Sequence, residues 1–286
     1  MAEAKRPYVL GTGDDEMARL GLQHQLWGDA ARAAWRAARI GPGQQWLDVG
    51  AGPGYAAFDL AQFVTGSGRV VAVDESAEFI EFAASQAAAR GLAHLTAARG
   101  DALALEDSPA IRSVMEAGPG FDGAYIRWVL CFLREPERVI ASLGKLVRPG
   151  GRVVIHDYFN YTSMTMAPRR PAFDRAVAAT AASWRERGGD PDVMAHVPAM
   201  LAAHGFSIEH LGTHSRLARG SRSGPPESMM HWMASWWRTY TPKLVAMGKL
   251  SQADCEQLMA DIARYEQDPD LFVVCPPVFE IIARRA

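Results

Sequence analysis

The chain has 286 residues, of which 49% are hydrophobic and 22% charged, with a formal charge of −2 and a pI near 6.5. That is ordinary globular composition, long enough for one large core with an added cap. Nothing in it suggests a general affinity for nucleic acid or acidic membranes. Cys131, Cys255 and Cys275 stand far apart, with no CxxC pair and no Cys/His zinc spacing, so no structural metal is expected. No apolar run reaches the ~20 residues of a membrane span, and MAEAKRPYVL has no secretory apolar stretch. A cytoplasmic protein in a reducing compartment is expected.

In chain order, residues 14–40 predict a helix, with Leu20, Trp27, Ala31, Trp35 and Ala38 at helical spacing before Gly41-Pro42-Gly43. Strands are predicted at 45–50, 69–73, 95–99, 121–126 and 152–156. They alternate with helices at 55–64, 76–90 and 135–147. Apolar strands alternating with helices imply a mostly parallel Rossmann-like sheet covered on both faces, with ligands at the C-terminal strand ends. Helices follow at 171–187 and 191–204, then a strand at 206–217 and a helical insertion at 226–266. A last strand spans 271–283, interrupted at Cys275-Pro276-Pro277. The expected organisation is an N-terminal helical cap (1–42), an α/β core (43–217), a helical lid insertion (218–270) and the last core strand (271–286).

The segment WLDVGAGPGYAAFDLA, Trp46 to Ala61, places a glycine turn between the first strand and its helix. A P-loop would need GxxxxGK[ST], and no lysine is present. A dinucleotide turn would need GxGxxG, yet Gly50, Gly52 and Gly54 give GxGxG, with Tyr55 where the third glycine should stand. Asp48 beside the turn disfavours a pyrophosphate and favours a cation. S-adenosylmethionine fits, because it pairs an ammonium and a sulfonium with a carboxylate that the following helix N-terminus can face. Asp74 ends the second strand 20 residues beyond Gly54, where a carboxylate can accept from both ribose hydroxyls. Asp101 ends the third strand in RGDA. Two readings stand for it, acceptor for the adenine amino group and helix N-cap.

The segments LDVGAGPG, VVAVDES, RGDALAL, FDGAYIRWVL and LVRPGGRVVIHDY, between Gly43 and Tyr158, resemble class I S-adenosylmethionine-dependent methyltransferases. The style is that of the ubiquinone/menaquinone-biosynthesis-like small-molecule group. The resemblance implies a seven-stranded sheet whose last strand runs antiparallel. It also implies that Asp48, Gly50, Ala51, Gly52 and Gly54 hold the methionine part, Asp74 the ribose, and Asp101 the adenine. Glu75, Ser76 and Ala102 would flank the adenosine, and Arg127 and Trp128 would lie beneath it. The leading YVLGTGDDEMARLGLQHQLW is similar to the opening helix of such enzymes, with Tyr8, Arg19 and Gln23 closing over the site.

For proton transfer the candidates are His156 and Asp157, at the end of the fifth strand. The alternative is that they cap nearby backbone. Tyr158, Met233, Trp236 and Trp237 are candidate substrate contacts, the last three in MMHWMASWW, which also reads as a buried helix face. Arg216, Arg219 and Arg222, like Arg169-Arg170, are either solvated or aimed at a substrate anion. The expected activity is methylation of a small apolar or aromatic metabolite at O, N or C, without nucleic-acid or membrane partners and with a homodimer left open. The rivals are a non-methylating use of the sulfonium, an RNA methyltransferase and a non-catalytic sensor.

Overall fold

Seven strands form the main sheet of the computed structural model, which describes residues 13–223 and 228–286. They are β1 (Gln45–Val49), β2 (Arg69–Asp74), β3 (Leu95–Arg99), β4 (Phe121–Arg127), β5 (Val147–Tyr158), β7 (Phe206–His214) and β10 (Val278–Arg285). Their order is β3-β2-β1-β4-β5-β10-β7, with β10 antiparallel to both neighbours. The chain steps outward from β1 to β3, then returns and continues from β4 on the other side. The strand order therefore reverses between β1 and β4, where an α/β sheet opens a crevice at its C-terminal edge.

The strands are apolar on both faces because helices cover both. Trp46, Val70 and Ala72 meet α1 (Asp14–Ala37), α2 (Tyr55–Val64) and α3 (Ala77–Ala89). Leu47, Val71 and Val73 meet α4 (Pro109–Ala117) and α5 (Pro136–Leu146). Trp35 anchors α1, fully buried and edge-to-face with Tyr125 at 5.2 Å. Such aromatic pairs add about 0.5–1.5 kcal/mol beyond the area they bury.

The second half of the chain departs from its predicted elements in three places. The run predicted as a helix at 191–204 is a 3₁₀ turn followed by a short α7 (Val197–Ala203). The predicted strand 206–217 divides into β7 and β8 (Leu217–Arg219), and the predicted strand 271–283 divides into β9 (Phe272–Val274) and β10. β8 and β9 join β6 (Thr165–Ala167) in a separate three-stranded sheet. The physical reason for the β9–β10 division is Pro276-Pro277: proline donates nothing to a ladder, so the chain leaves the small sheet there and enters the main one. That small sheet forms the base from which α8 (Met229–Ala246) and α9 (Gln252–Gln267) rise against α6 (Pro171–Glu186) and α1.

Candidate functional site

A cavity of about 240 Å³ opens above the C-terminal ends of β1, β2 and β4. Its first half is built by the glycine turn. Gly50 adopts φ 66°, and a Cβ there would sit 2.4 Å from Val129 Cγ2. Gly52, at φ 54°, faces open space, so backbone alone forms the cradle. Gly54 does not line the cavity. It begins α2, where a Cβ would meet the Ala83 Cβ at 2.9 Å.

Acids at the tips of β1, β2 and just past β3 line this half: Asp48, Asp74 with Glu75, and Asp101. Asp48 is 3% exposed, and its Oδ2 has no hydrogen-bond partner among the described residues. Burial raises its carboxyl to about 7, the Arg127 charge opposing and the Asp74 charge adding to the rise. Asp74 accepts from Gly52 N at 2.8 Å and Ser76 N at 2.9 Å; burial outweighs these bonds and raises its carboxyl too. Asp101 lines the cavity and accepts from Leu103 N at 2.9 Å, the N-cap contact that one of its two readings predicted.

Arg127 and Trp128 form the floor. Arg127 Nη2 donates to His24 Nδ1 at 3.0 Å, and His24 Nε2 lies 3.3 Å from Asp59. Burial lowers the His24 pKa, leaving a neutral ring able to accept from the guanidinium. Trp128 adopts φ 55°, a left-handed conformation that costs a bulky residue about 1–3 kcal/mol. Its N–H bond to the His156 carbonyl (2.9 Å) and its stack on Tyr158 (6.0 Å, 26°) hold it there.

The second half is aromatic. Tyr158, Tyr161, Trp184, Trp232 and Trp236 line it with Met164 and Met233. Gln23 Oε1 accepts from Arg19 (3.0 Å) and from Trp232 Nε1 (3.2 Å), tying α1 to α8 over the cavity. Arg19 pairs with Glu16 at 2.6 Å and lies 5.5 Å over the Trp236 ring.

The structure thus brings together Asp48, Gly50, Ala51, Gly52, Asp74, Glu75, Ser76, Asp101, Ala102, Arg127, Trp128, Arg19, Gln23, Tyr158, Met233 and Trp236 around one cavity. Three other predicted residues lie elsewhere. Trp237 is fully buried against Phe173, because one helical step turns it away from the face that carries Trp236. The pleat of β5 sends His156 toward the α1 side, where it meets Glu280, and Asp157 to the opposite side. Asp157 accepts from Cys131 N (3.2 Å) and Tyr158 N (2.9 Å), so of its two readings the backbone-capping one describes its contacts. Arg216 pairs with Asp29 at 2.5 Å and Arg170 with Asp261 at 3.6 Å, neither in the cavity. Tyr8 lies outside the described residues. Tyr161, Trp184 and Trp232 were missed. Only Trp232 carried a signal, standing one residue before Met233 in the tryptophan-rich run.

A family model described as a methyltransferase domain matches residues 40–197, more than half of the sequence. The chain belongs to the methyltransferase-domain family. Two curated proteins match this methyltransferase-domain chain in part. The 2-phytyl-1,4-naphthoquinone methyltransferase of Synechocystis is 33% identical over 138 residues, 48% of this chain and 52% of that protein. An uncharacterised 37.1 kDa protein of a Streptomyces fradiae transposon is 34% identical over 116 residues, 40% of this chain and 30% of that protein. The matches thus span about half or less of these relatives' length. Among solved structures, the [4+2]-cyclase SpnF aligns at TM-score 0.54 with 18% identity, covering 90% of this chain and 80% of its own. The Haemonchus contortus phosphoethanolamine N-methyltransferase 2, solved with S-adenosyl-L-methionine, aligns at 0.54 with 18% identity, covering 91% and 52%. These two likenesses concern the fold. S-adenosylmethionine is the cofactor of the family, and the cavity fits it: the partnerless Asp48 Oδ2 suits an ammonium, and the bare backbone at Gly52 admits close approach. No helix among the described residues is long and apolar enough to cross a membrane.

Proposed function

We propose that the chain is an S-adenosylmethionine-dependent methyltransferase acting on a small apolar or aromatic molecule, without a protein general base. The observation that carries this reading is the division of the cavity. Among the described residues, every carboxylate that lines it stands at the glycine-turn end, and no histidine, lysine or cysteine lines it. Tyr158 and Tyr161 line the other end, and burial drives both phenols well above their ordinary range, so they stay protonated.

Bound S-adenosylmethionine supplies an electrophilic methyl on a sulfonium. Asp48 balances its ammonium, Asp74 holds the ribose, and Asp101 with Ala102 flanks the adenine. Arg127, fixed through His24, balances the carboxylate. Trp128, Tyr158 and Trp236 align a flat acceptor, and α1 and α8 exclude water above it. With no base at hand, the acceptor must arrive as a ready nucleophile, such as an enol-type or quinol carbon. The Synechocystis relative is named for a naphthoquinone, a flat apolar ring of the kind this wall suits.

Trp236→Ala is expected to raise KM for the acceptor by roughly ten- to a hundredfold, the scale of losing one large aromatic contact. The cofactor Kd should change less than about twofold. Steady-state kinetics and calorimetry check this, and equal losses for both ligands would remove Trp236 from the acceptor wall. A second reading keeps the cofactor but transfers no methyl, and it too needs no base among the described lining residues. Labelled-methyl assays on aromatic metabolites separate the two: S-adenosylhomocysteine accumulates in the first reading and not in the second.

A further inference from the structure

A histidine-rich cluster lies outside the cavity, on the α1 side of the sheet near its β7 edge. β10 runs between β5 and β7, so Glu280 stands beside His156 on one strand and Gly212 on the other. Residues two apart on a strand share a face, which puts His210 and His214 on the same side as Glu280. Gly212 between them leaves room beside the His210 ring. A Cβ there would meet His210 Nε2 at 2.7 Å, so the glycine lets that ring fold toward the carboxylate without a shift.

All three rings present the same atom. His156 Nε2 lies 2.8 Å and His214 Nε2 2.9 Å from Glu280 Oε2, and His210 Nε2 lies 3.2 Å from Oε1. The donor atoms of His156, His214 and Glu280 all fall within 4.8 Å of one another. Around a tetrahedral ion at imidazole–metal lengths of about 2.1 Å, such atoms stand roughly 3.4 Å apart. Small side-chain rotations reach that spacing. We propose that His156, His214 and Glu280 bind one divalent transition-metal ion of the zinc and nickel class, with His210, which stands outside that group of three, turning in as fourth ligand.

The donor set decides the class of metal. Imidazoles with one carboxylate suit zinc, nickel or copper, whereas magnesium and calcium take oxygen shells. Burial decides the direction of entry. The His156 and Glu280 side chains are 3% and 8% exposed, while His214 and His210 are 29% and 50% exposed. The ion is closed off by the sheet on one side and enters past the edge strand on the other. Once bound, it cross-links β5, β10 and β7. Through the His156 carbonyl that holds Trp128 N, it also stiffens the floor of the cofactor cavity. The site is independent of the methyl-transfer reading, since none of its four ligands lines that cavity.

The test uses the untagged full chain, stripped with a chelator and titrated with Zn²⁺ or Ni²⁺ alone. One equivalent per chain is expected to survive desalting, by elemental analysis, with a rise in Tm. His214→Ala and Glu280→Gln should each weaken the ion at least tenfold. His204→Ala, at a remote histidine paired with Glu137, should not. If the buried Glu280→Gln variant fails to fold, the half-exposed His210→Ala variant gives the second reading, with circular dichroism confirming its fold. Failure to retain an ion, or retention unchanged in His214→Ala, overturns the site. Cofactor binding measured on the unstripped protein reports separately on the methyltransferase reading.

Discussion

Asp74→Ala is expected to weaken S-adenosylmethionine by roughly a hundredfold or more while leaving the fold in place. A hydrogen bond to a charged group contributes about 1.5–3 kcal/mol, and the carboxylate at the tip of β2 can accept from both ribose hydroxyls. Losing the pair removes about 3–4 kcal/mol, between two and three powers of ten in Kd. Asp74 also accepts from Gly52 N and Ser76 N, but these groups border the cavity, where water can replace the lost acceptor. The unliganded variant should therefore melt within a few degrees of the parent. Asp74→Asn keeps one acceptor oxygen and should lose only about tenfold. Calorimetry with a thermal melt decides it, and undiminished affinity in Asp74→Ala would dismiss the ribose assignment.

The second large effect is a pH dependence of cofactor binding set by Asp48. Burial holds this carboxyl at about 7 in the free protein, far above the ordinary carboxylate range. An ammonium beside it favours the ionised form, so its pKa falls on binding. The sign follows from linkage. Below pH 7 the free protein carries a proton that the complex does not, so binding releases it. Affinity should rise with pH, by up to tenfold per unit, and flatten once Asp48 is ionised above about 7. Asp48→Asn should bind weakly and lose this slope between pH 5.5 and 8. Calorimetry in buffers of different ionisation enthalpy counts the proton directly. A pH-independent affinity in the unaltered protein would mean that Asp48 does not meet the charge.

The glycine-turn half of the cavity was legible in the sequence because it is local. A strand, a glycine turn and a helix follow one another without interruption from Gln45 to Val64, and the other acids sit at or just past the ends of the next two strands. Register alone carries such residues to one sheet edge. The aromatic half was only partly legible, because distant segments build it. Trp184 comes from α6, Tyr161 from the turn after β5 and Trp232 from α8, and no spacing links them. His156 misled for a related reason. Its partner, Glu280, lies 124 residues away, and only the pairing of β5 with β10 reveals it. A lone acid inside the apolar run VFEIIA was the available signal, since a buried carboxylate needs partners. Trp236 and Trp237 looked equivalent in composition, yet they differ by one helical step, which decides which of them faces the cavity.

A crystal structure of the complex with S-adenosylhomocysteine tests most directly whether carboxylates at neighbouring strand tips seat a sulfur nucleoside. The expected density places both ribose hydroxyls about 3 Å from Asp74, the ammonium against Asp48 and the adenine edge at Asp101. A nucleoside bound at another edge of the sheet, or a phosphate group lodged in the turn at Gly50 to Gly54, would contradict it.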